Sequence, residues 1–398
     1  MATKLKLAVI GDPHIAIPYG DPDPRLEIDP GRKLHGLSVE LIHATVDEIN
    51  AAGDIDAAIV LGDLTRDSEL FNHDVARAEL ARLRMPFYIV RGNHDNQHKR
   101  PKGVSYPDEP HLDKRGFVNF YRGAGLPGDS TRYAVELPGG VVLIVLDSNW
   151  SLKQLKQKQG NVKLQDHGWV SKSQRLWLDD MLSNVRSGGR LPLVAVHHTI
   201  MAHSPAERKK HILRPFFASW RARGSRKLRR VLAEHRVPLV LSGHIHAQSV
   251  NVQDGITNLT TAATVCYPHA WRELIFENDY IQTISHPLET IPSCMTLQDS
   301  SRRWLAEGMA AMVQQHSRRI PLLARLSGGL HDFIAGTGWW PRFCDGTLAG
   351  FRVDKKTIPN GNPMLKLVYK RISTILNEYG AWKTKRPDPN NLEIPLID

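Results

Sequence analysis

Cysteine is scarce in this chain: three in 398 residues, at Cys266, Cys294 and Cys344. An odd number at wide spacing gives neither a disulfide framework nor a zinc-finger pattern. A reducing cytoplasm is the expected setting. Long apolar runs are absent too. No stretch approaches the roughly 20 residues that span a bilayer, so no membrane partner is expected. The first residues run straight into an apolar strand pattern and lack the three regions of a signal peptide. There is no Gly-x-Ser-x-Gly and no P-loop, so neither a serine nucleophile nor a phosphate-cradling glycine loop is signalled. Internal repeats and long low-complexity blocks are missing as well. Acidic residues are outnumbered, and the net charge is +11.

What remains is ordinary for a globular protein, with 41% hydrophobic and 23% charged residues. The length suits one large domain with an appendage, or two domains. The basic excess is uneven. Between Glu207 and Arg230 there are ten Lys or Arg and one acid. The part from Ser225 reads as a structural helix, with Leu228, Val231 and Leu232 at helical spacing. Arg208, Lys209, Lys210 and Arg214 are candidates to face an anionic substrate. Residues 291–398 carry 15 basic and nine acidic side chains. That makes nucleic acid a possible partner, though a basic surface alone is weak evidence.

Five short motifs carry the chemistry: Asp12-Pro13-His14, Gly62-Asp63, Gly92-Asn93-His94-Asp95, His197-His198 and Gly243-His244-Ile245-His246. Each follows an apolar run that reads as a strand: Leu5 to Ile10, Ala57 to Leu61, Phe87 to Val90, Leu193 to Val196 and Leu239 to Leu241. Strand followed by ligand, five times, predicts that all these side chains share one edge of one sheet, where α/β sites form. Carboxylate, amide and imidazole without thiolate suit hard or borderline divalent metals. Asp12 with His14, and His244 with His246, fall on the same side of an extended chain, because strand periodicity is two. Gly62 and Gly243 allow tight turns before the ligands. Asp63 stands alone, with two oxygens suited to bridging two ions. Asn93 offers a neutral carbonyl oxygen. His94 follows it and points elsewhere, available as an acid or a charge stabiliser. Any one motif is more often a turn or a packed side chain; the five in this order favour a two-metal hydrolytic site.

Helices are predicted at about Leu37 to Ala52 (with Leu41, Thr45 and Ile49 on one face), Ser68 to Leu83, Ser171 to Ser183 (with Leu176, Trp177 and Met181 toward the core) and 225–235. Residues 132–137 and 141–147 read as a hairpin, and 247–252, 256–261 and 272–276 as strands of a second sheet. Residues 15–36, 96–130 and 151–165 read as loops. The expected fold class is α/β, a two-sheet β-sandwich core flanked by helices, with a mainly helical C-terminal extension. The expected division is 1–290 for the core domain and 291–398 for an extension serving as a cap or dimerisation element. That extension is read as helices at Trp304 to Arg318 and Leu365 to Tyr379, a glycine-rich stretch with Trp339-Trp340, and a tail from Pro387. The tryptophan pair reads as a core or interface anchor. A homo-oligomer is possible. Among the other histidines, His35 and His43 read as packed or exposed. His98, His111, His167 and His203 lie in loops within reach of the site, and His203 is the best candidate for substrate contact.

The five blocks resemble the calcineurin-like metallophosphoesterase superfamily, whose pattern is D-x-H, G-D, G-N-H-D/E, a His, then G-H-x-H. A finer likeness is to bacterial class III cyclic-nucleotide phosphodiesterases and glycerophosphodiesterases. It is supported by Val145-Leu146-Asp147-Ser148, Gln174-Arg175-Leu176-Trp177-Leu178, Tyr267-Pro268 and Trp271-Arg272-Glu273. The resemblance covers about residues 4–285. It implies that Asp12, His14, Asp63 and His246 hold one metal. Asp63, Asn93, His197 and His244 hold the other, and catalytic His94 lies beside the phosphate. Two divalent or trivalent ions (Mn, Fe or Zn) are implied as cofactors. Many relatives have Pro after the fourth-block His where this chain has Thr199, so His198 stays an alternative to His197. The implied activity is hydrolysis of a small phosphodiester by a metal-bridging hydroxide. A metal-dependent nuclease or a phosphomonoesterase is the alternative, and a non-catalytic scaffold ranks last.

Overall fold

The computed structural model describes residues 5–18, 33–96, 110–150, 168–203, 221–317, 327–354 and 363–396. Arg208, Lys209, Lys210, Arg214, His98, His167 and the segment 151–165 lie outside the described residues, as do residues 19–32 and 97–109.

The N-terminal half alternates strand and helix: β1 (Leu5–Ile10), α1 (Ser38–Ala52), β2 (Ala57–Val60), α2 (Leu70–Leu80) and β3 (Phe87–Ile89). The three strands are parallel. β1 and β2 are almost wholly buried, which explains why they read as unbroken apolar runs. After α3 (Lys114–Tyr121) the chain starts a second layer with the antiparallel pair β4 (Tyr133–Glu136) and β5 (Val141–Leu146). α4 (Lys172–Ser187), β6 (Leu191–Val196), α5 (Ser225–Glu234) and β7 (Leu239–Ser242) follow, and β5, β6 and β7 are parallel. β8 (Ser249–Gln253) and β9 (Ile256–Thr260) complete that sheet. β10 (Ala270–Phe276) and β11 (Tyr280–Pro287) cross back to the first.

With β12 (Asn391–Pro395) from near the end of the chain, the result is two six-stranded sheets, ordered β12-β11-β10-β1-β2-β3 and β4-β5-β6-β7-β9-β8. Strand alternation sorts the core. Along β5, Val141, Leu143 and Val145 join β1 and β2 residues between the sheets. Val142, Ile144 and Leu146 face the other way, onto Leu178 and Leu182 of α4 and Leu228 and Leu232 of α5. The chain is thus an α/β protein with a two-sheet core flanked by helices, as the sequence predicted.

Three details of the sheet arrangement differ from the sequence reading. The five motifs sit on two sheets, not one: the first three follow β1, β2 and β3, and the last two follow β6 and β7. β10 pairs with β1 instead of extending the sheet of β8 and β9. The supposed tail contains β12 (Asn391–Pro395), which pairs antiparallel with β11. Its Ile394 is buried in the central core.

Between β11 and β12 lie α6 (Leu297–Ser317), α7 (Ser327–Gly336), α8 (Trp339–Cys344) and α9 (Pro363–Lys383). Leu305, Met309, Phe333, Trp339, Phe343 and Tyr379 form a cluster of their own, and it closes on Ile245 and Tyr267 of the core. Trp339 is buried and stacks on Phe343, with centroids 5.2 Å apart. Polar anchors join the two parts. The buried Arg272 guanidinium donates to the Pro389 carbonyl and to Gln248 Oε1. Lys383 Nζ donates to Ser249 Oγ at 2.6 Å.

A closing strand and a tail differ in stability. We expect Ile394→Ala to cost about 2–5 kcal/mol of unfolding free energy, as large-to-small core changes do. Chemical denaturation measures it. A loss of less than about 0.5 kcal/mol, the range of surface substitutions, contradicts the strand's role in the core.

Candidate metal centre

Asp12 and His14 stand beyond the end of β1, and His244 and His246 beyond β7. Their shared facing does not come from strand alternation. Asp12, His14, Asp63, His244 and His246 all have left-handed backbones, with φ of 31°, 44°, 50°, 71° and 53°. Non-glycine residues adopt this region at a cost, and such outliers cluster at functional sites. Both glycines leave no room for a Cβ, and Gly62 also takes a backbone that favours glycine. Gly62 itself has φ of 99°. Gly243 is needed for space, because a Cβ there meets Asp12 Oδ1 at 2.5 Å. Ile245 joins the C-terminal apolar cluster, between the two histidines of its motif.

Asp63 lies in the middle. His14 Nε2 is 3.5 Å from Asp63 Oδ2, and His197 Nε2 is 3.3 Å from Asp63 Oδ1. On one side, His14 Nε2 faces His246 Nε2 at 3.1 Å. Donor atoms of His14, Asp63 and His246 lie within 4.8 Å of one another. On the other side, His197 Nε2 faces Asn93 Oδ1 at 3.0 Å. Donors of Asp12, Asp63 and His197 form a second such group, and donors of His197, His198 and His244 a third. All seven residues put forward as ligands therefore converge. His197 Nδ1 donates to the Leu61 carbonyl at 2.7 Å, which turns Nε2 toward Asp63 and Asn93. His198 has its Nδ1 on Ser148 Oγ at 2.8 Å and its ring 4.3 Å from that of His244.

The electrostatics fit cations. Burial pushes Asp12 up to about 7. Burial also drives His14 and His246 well below the usual histidine value, and His244 down to about 3. These groups are thus pushed toward neutral forms whose lone pairs face one another. Against its burial, Asp63 is held well below the carboxylate range by His197 and His94. Two imidazole nitrogens 3.1 Å apart share at most one proton, and Asp12 Oδ1, fully buried, accepts no hydrogen bond among the described residues. Crowded nitrogen and oxygen donors of this kind suit first-row divalent ions, so the residues fit a pair of such cations.

His94 stays half-buried at the rim. Its backbone N–H donates to Asp63 Oδ1 at 2.8 Å, and its Nδ1 lies 2.5 Å from the Arg66 carbonyl. Burial and Lys33 oppose its charge, but Asp63 and Asp67 outweigh them and hold its pKa above the usual value. Asp95 braces the loop by accepting from the N–H groups of Gly92 (2.9 Å) and Thr65 (3.2 Å). Behind it, buried Asp147 pairs with Arg91 at 2.9 Å and accepts from Thr131 Oγ1 at 2.7 Å.

His203 does not reach the site surface. It is fully buried, with Nε2 on Thr199 Oγ1 (2.6 Å) and Nδ1 beside Ser249 Oγ (2.9 Å), so it belongs to the polar interior. His35 is buried behind His14, and His43 is exposed beside Glu79 and Asp47. Sequence reasoning missed Lys33, whose Nζ is 3.3 Å from His14 Nε2. It also missed Cys266, whose Sγ is 3.5 Å from His246 Nδ1. Neither sits in a recognisable motif.

Residues 5–248 match the model of the calcineurin-like phosphoesterases. The chain belongs to this family. Membership indicates a metal-dependent phosphoester hydrolase, and the family is a dimetal one. Among solved structures, the chain resembles a dimetal phosphatase from Danio rerio at 17% identity and a TM-score of 0.52, covering 71% of this chain and 96% of that one. It also resembles the purple acid phosphatase PPD1 of yellow lupin, Lupinus luteus, at 12% identity and a TM-score of 0.44, covering 72% and 52%. A putative 5'-nucleotidase from Staphylococcus aureus shares 13% identity at a TM-score of 0.42, covering 76% and 59%. At these identities the likeness is one of fold. No curated protein sequence matches the chain. Among the described residues of this calcineurin-like chain, no helix is long and apolar enough to cross a membrane.

Asp147 has a testable signature. Although burial opposes its charge, Arg91 and Lys114 hold its pKa well below the carboxylate range. Its stabilisation is therefore present above the unfolded value of about 4 and is lost as pH falls below it. We expect Asp147→Ala to cost about 3–5 kcal/mol by stranding buried Arg91. Asp147→Asn should flatten the loss of stability on acidification below about pH 4. An unchanged acid limb in urea titrations contradicts the pairing.

Proposed function

We propose that this protein hydrolyses small phosphodiesters. In this reading Asp12, His14, Asp63 and His246 hold one cation, Asp63, Asn93, His197 and His244 hold the other, and Asp63 bridges. The supporting observation is the pair of donor groups flanking Asp63, which opens into a cleft of about 260 Å³. When bound, two such cations acidify water and neutralise charge on phosphoryl oxygens. His94, on the cleft wall, is positioned to hydrogen-bond a phosphoryl oxygen and to protonate the leaving alkoxide. Lys33, on the same wall, supplies a further positive charge. Were His14 and His246 to hold a cation, the Lys33 ammonium would be repelled from it, and its four-carbon stem would let it turn into the cleft.

The diester reading rests on charge. Lys33 and the histidines share the cleft with an apolar wall of Ile245, Leu305, Met309, Trp340 and Phe343. Bringing one negative charge against such a wall costs less than bringing two. The cleft volume falls below the roughly 300–1,000 Å³ of drug-sized ligand sites, which favours a compact ester over nucleic acid. We place residues 1–290 in the hydrolase domain, joined by β12 from the chain's end, and assign the helices α6 to α9 the role of a cap, in a cytoplasmic protein. The burial of Trp339 within its own chain favours a cap over a dimer interface.

Asp63→Ala should lose both ions by elemental analysis, whereas His94→Ala should keep them and lose about 10²–10⁴ in turnover. Two ions per chain in Asp63→Ala sink the bridging assignment. His197→Ala should weaken metal retention more than His198→Ala, and the reverse order transfers the role to His198. With manganese supplied, kcat/KM on bis-p-nitrophenyl phosphate should exceed that on p-nitrophenyl phosphate. The opposite ranking makes the protein a monoesterase.

A further inference from the structure

Part of the cleft lining at the metal centre comes from residues beyond the span that matches the family. Leu305 and Met309 of α6 and Trp340 and Phe343 of α8 line the cleft that also holds Lys33 and His94. This wall is rigid where it is aromatic. Phe343 stacks on buried Trp339 at an interplanar angle of 12°, and Trp340 stands edge-on to Trp339 with centroids 4.6 Å apart. Met309 beside them is unbranched and adapts to irregular shapes. None of these four side chains has a strong hydrogen-bonding group except the Trp340 indole N–H. An ester arm bearing hydroxyls would lose hydrogen bonds to water here without replacing them. A flat apolar arm gains both area burial and ring contact.

We propose that one arm of the substrate is a compact apolar group, aryl or short branched alkyl, seated against Leu305, Met309, Trp340 and Phe343. The phosphoryl group lies at the metal centre, beside Lys33 and His94. This rests on the phosphodiesterase reading, and it makes α6 and α8 the elements that set specificity. It disfavours the sugar or glycerol arms of nucleotides and glycerophosphodiesters.

The test uses phosphinates, which carry one negative charge and have no ester bond to cleave. Binding of methylphenylphosphinate and of methyl(dihydroxypropyl)phosphinate to the full-length manganese-loaded protein is measured by calorimetry. The phenyl compound should bind at least about tenfold tighter, the scale expected from burying a ring. In Trp340→Ala that ratio should fall to about threefold or less while the dihydroxypropyl compound is unaffected, and Trp340→Phe should restore most of it. Met309→Gln approaches the same wall independently, should Trp340→Ala fail to fold. Equal affinities in the native protein, a preference for the dihydroxypropyl arm, no measurable binding of the phenyl compound, or a ratio unchanged in both variants each overturn the proposal. Preferential phenyl binding with no hydrolysis of any ester would instead remove the phosphodiesterase reading and leave the apolar subsite standing. Hydrolysis without the preference would do the reverse.

Discussion

Asp63 is a carboxylate buried at the seam between two sheets, and the arrangement of the centre follows from keeping it ionised there. An isolated buried carboxylate takes up a proton, because desolvation penalises its charge. Asp63 escapes that fate through His197 from the second sheet, His14 and His94 from the first, and the backbone N–H of His94. These groups come from three separate strand ends, and Asp63 itself from a fourth. The two sheets must therefore pack in one register for Asp63 to be stable, and the apolar core between them supplies that register. The same crowding fills the surroundings of Asp63 with nitrogen lone pairs, the condition under which cations bind.

The centre is held together at a cost that the rest of the molecule offsets. Five of the grouped residues sit in left-handed backbone, each at about 1–3 kcal/mol. Support comes from beneath and above. Below, the Arg91–Asp147 pair and Asp95 fix the loop of Asn93 and His94. Above, Ile245 is packed into the C-terminal apolar cluster between two histidines that face the centre. The C-terminal helices thus touch the candidate site through the motif of His244 and His246, and β12 ties their far end back into the first sheet.

Much of this was legible in the sequence, for a local reason. Each motif combines an apolar run with a polar donor directly after it, so both the strand and its functional end are written within about ten residues. The helix face of α1 was legible for the same reason, since Leu41, Thr45 and Ile49 are all buried. What could not be read depends on distant partners. Nothing local tells β10 to pair with β1 or divides the motifs between two sheets. α4 shows the limit of periodicity. It carries apolar residues on more than one face, and the chosen Leu176 is 54% exposed while Leu178, Leu182 and Val185 form the core. β12 was hidden because a short strand rich in Pro and Asn neighbours reads as a tail. α3 was hidden among turn-forming residues, although Asp113 caps it by accepting from Gly116 N–H. Lys33 and Trp340 gain their meaning from the cleft alone.

The central claim is that Asp63 bridges two cations drawn from both sheets. Anomalous scattering from a crystal grown with manganese tests it directly. The account predicts two peaks roughly 3.5–4 Å apart, one on each side of the Asp63 carboxylate, with His14 and His246 on one and Asn93, His197 and His244 on the other. A single peak, or a second ion held by His198 and not by Asp63, would contradict it.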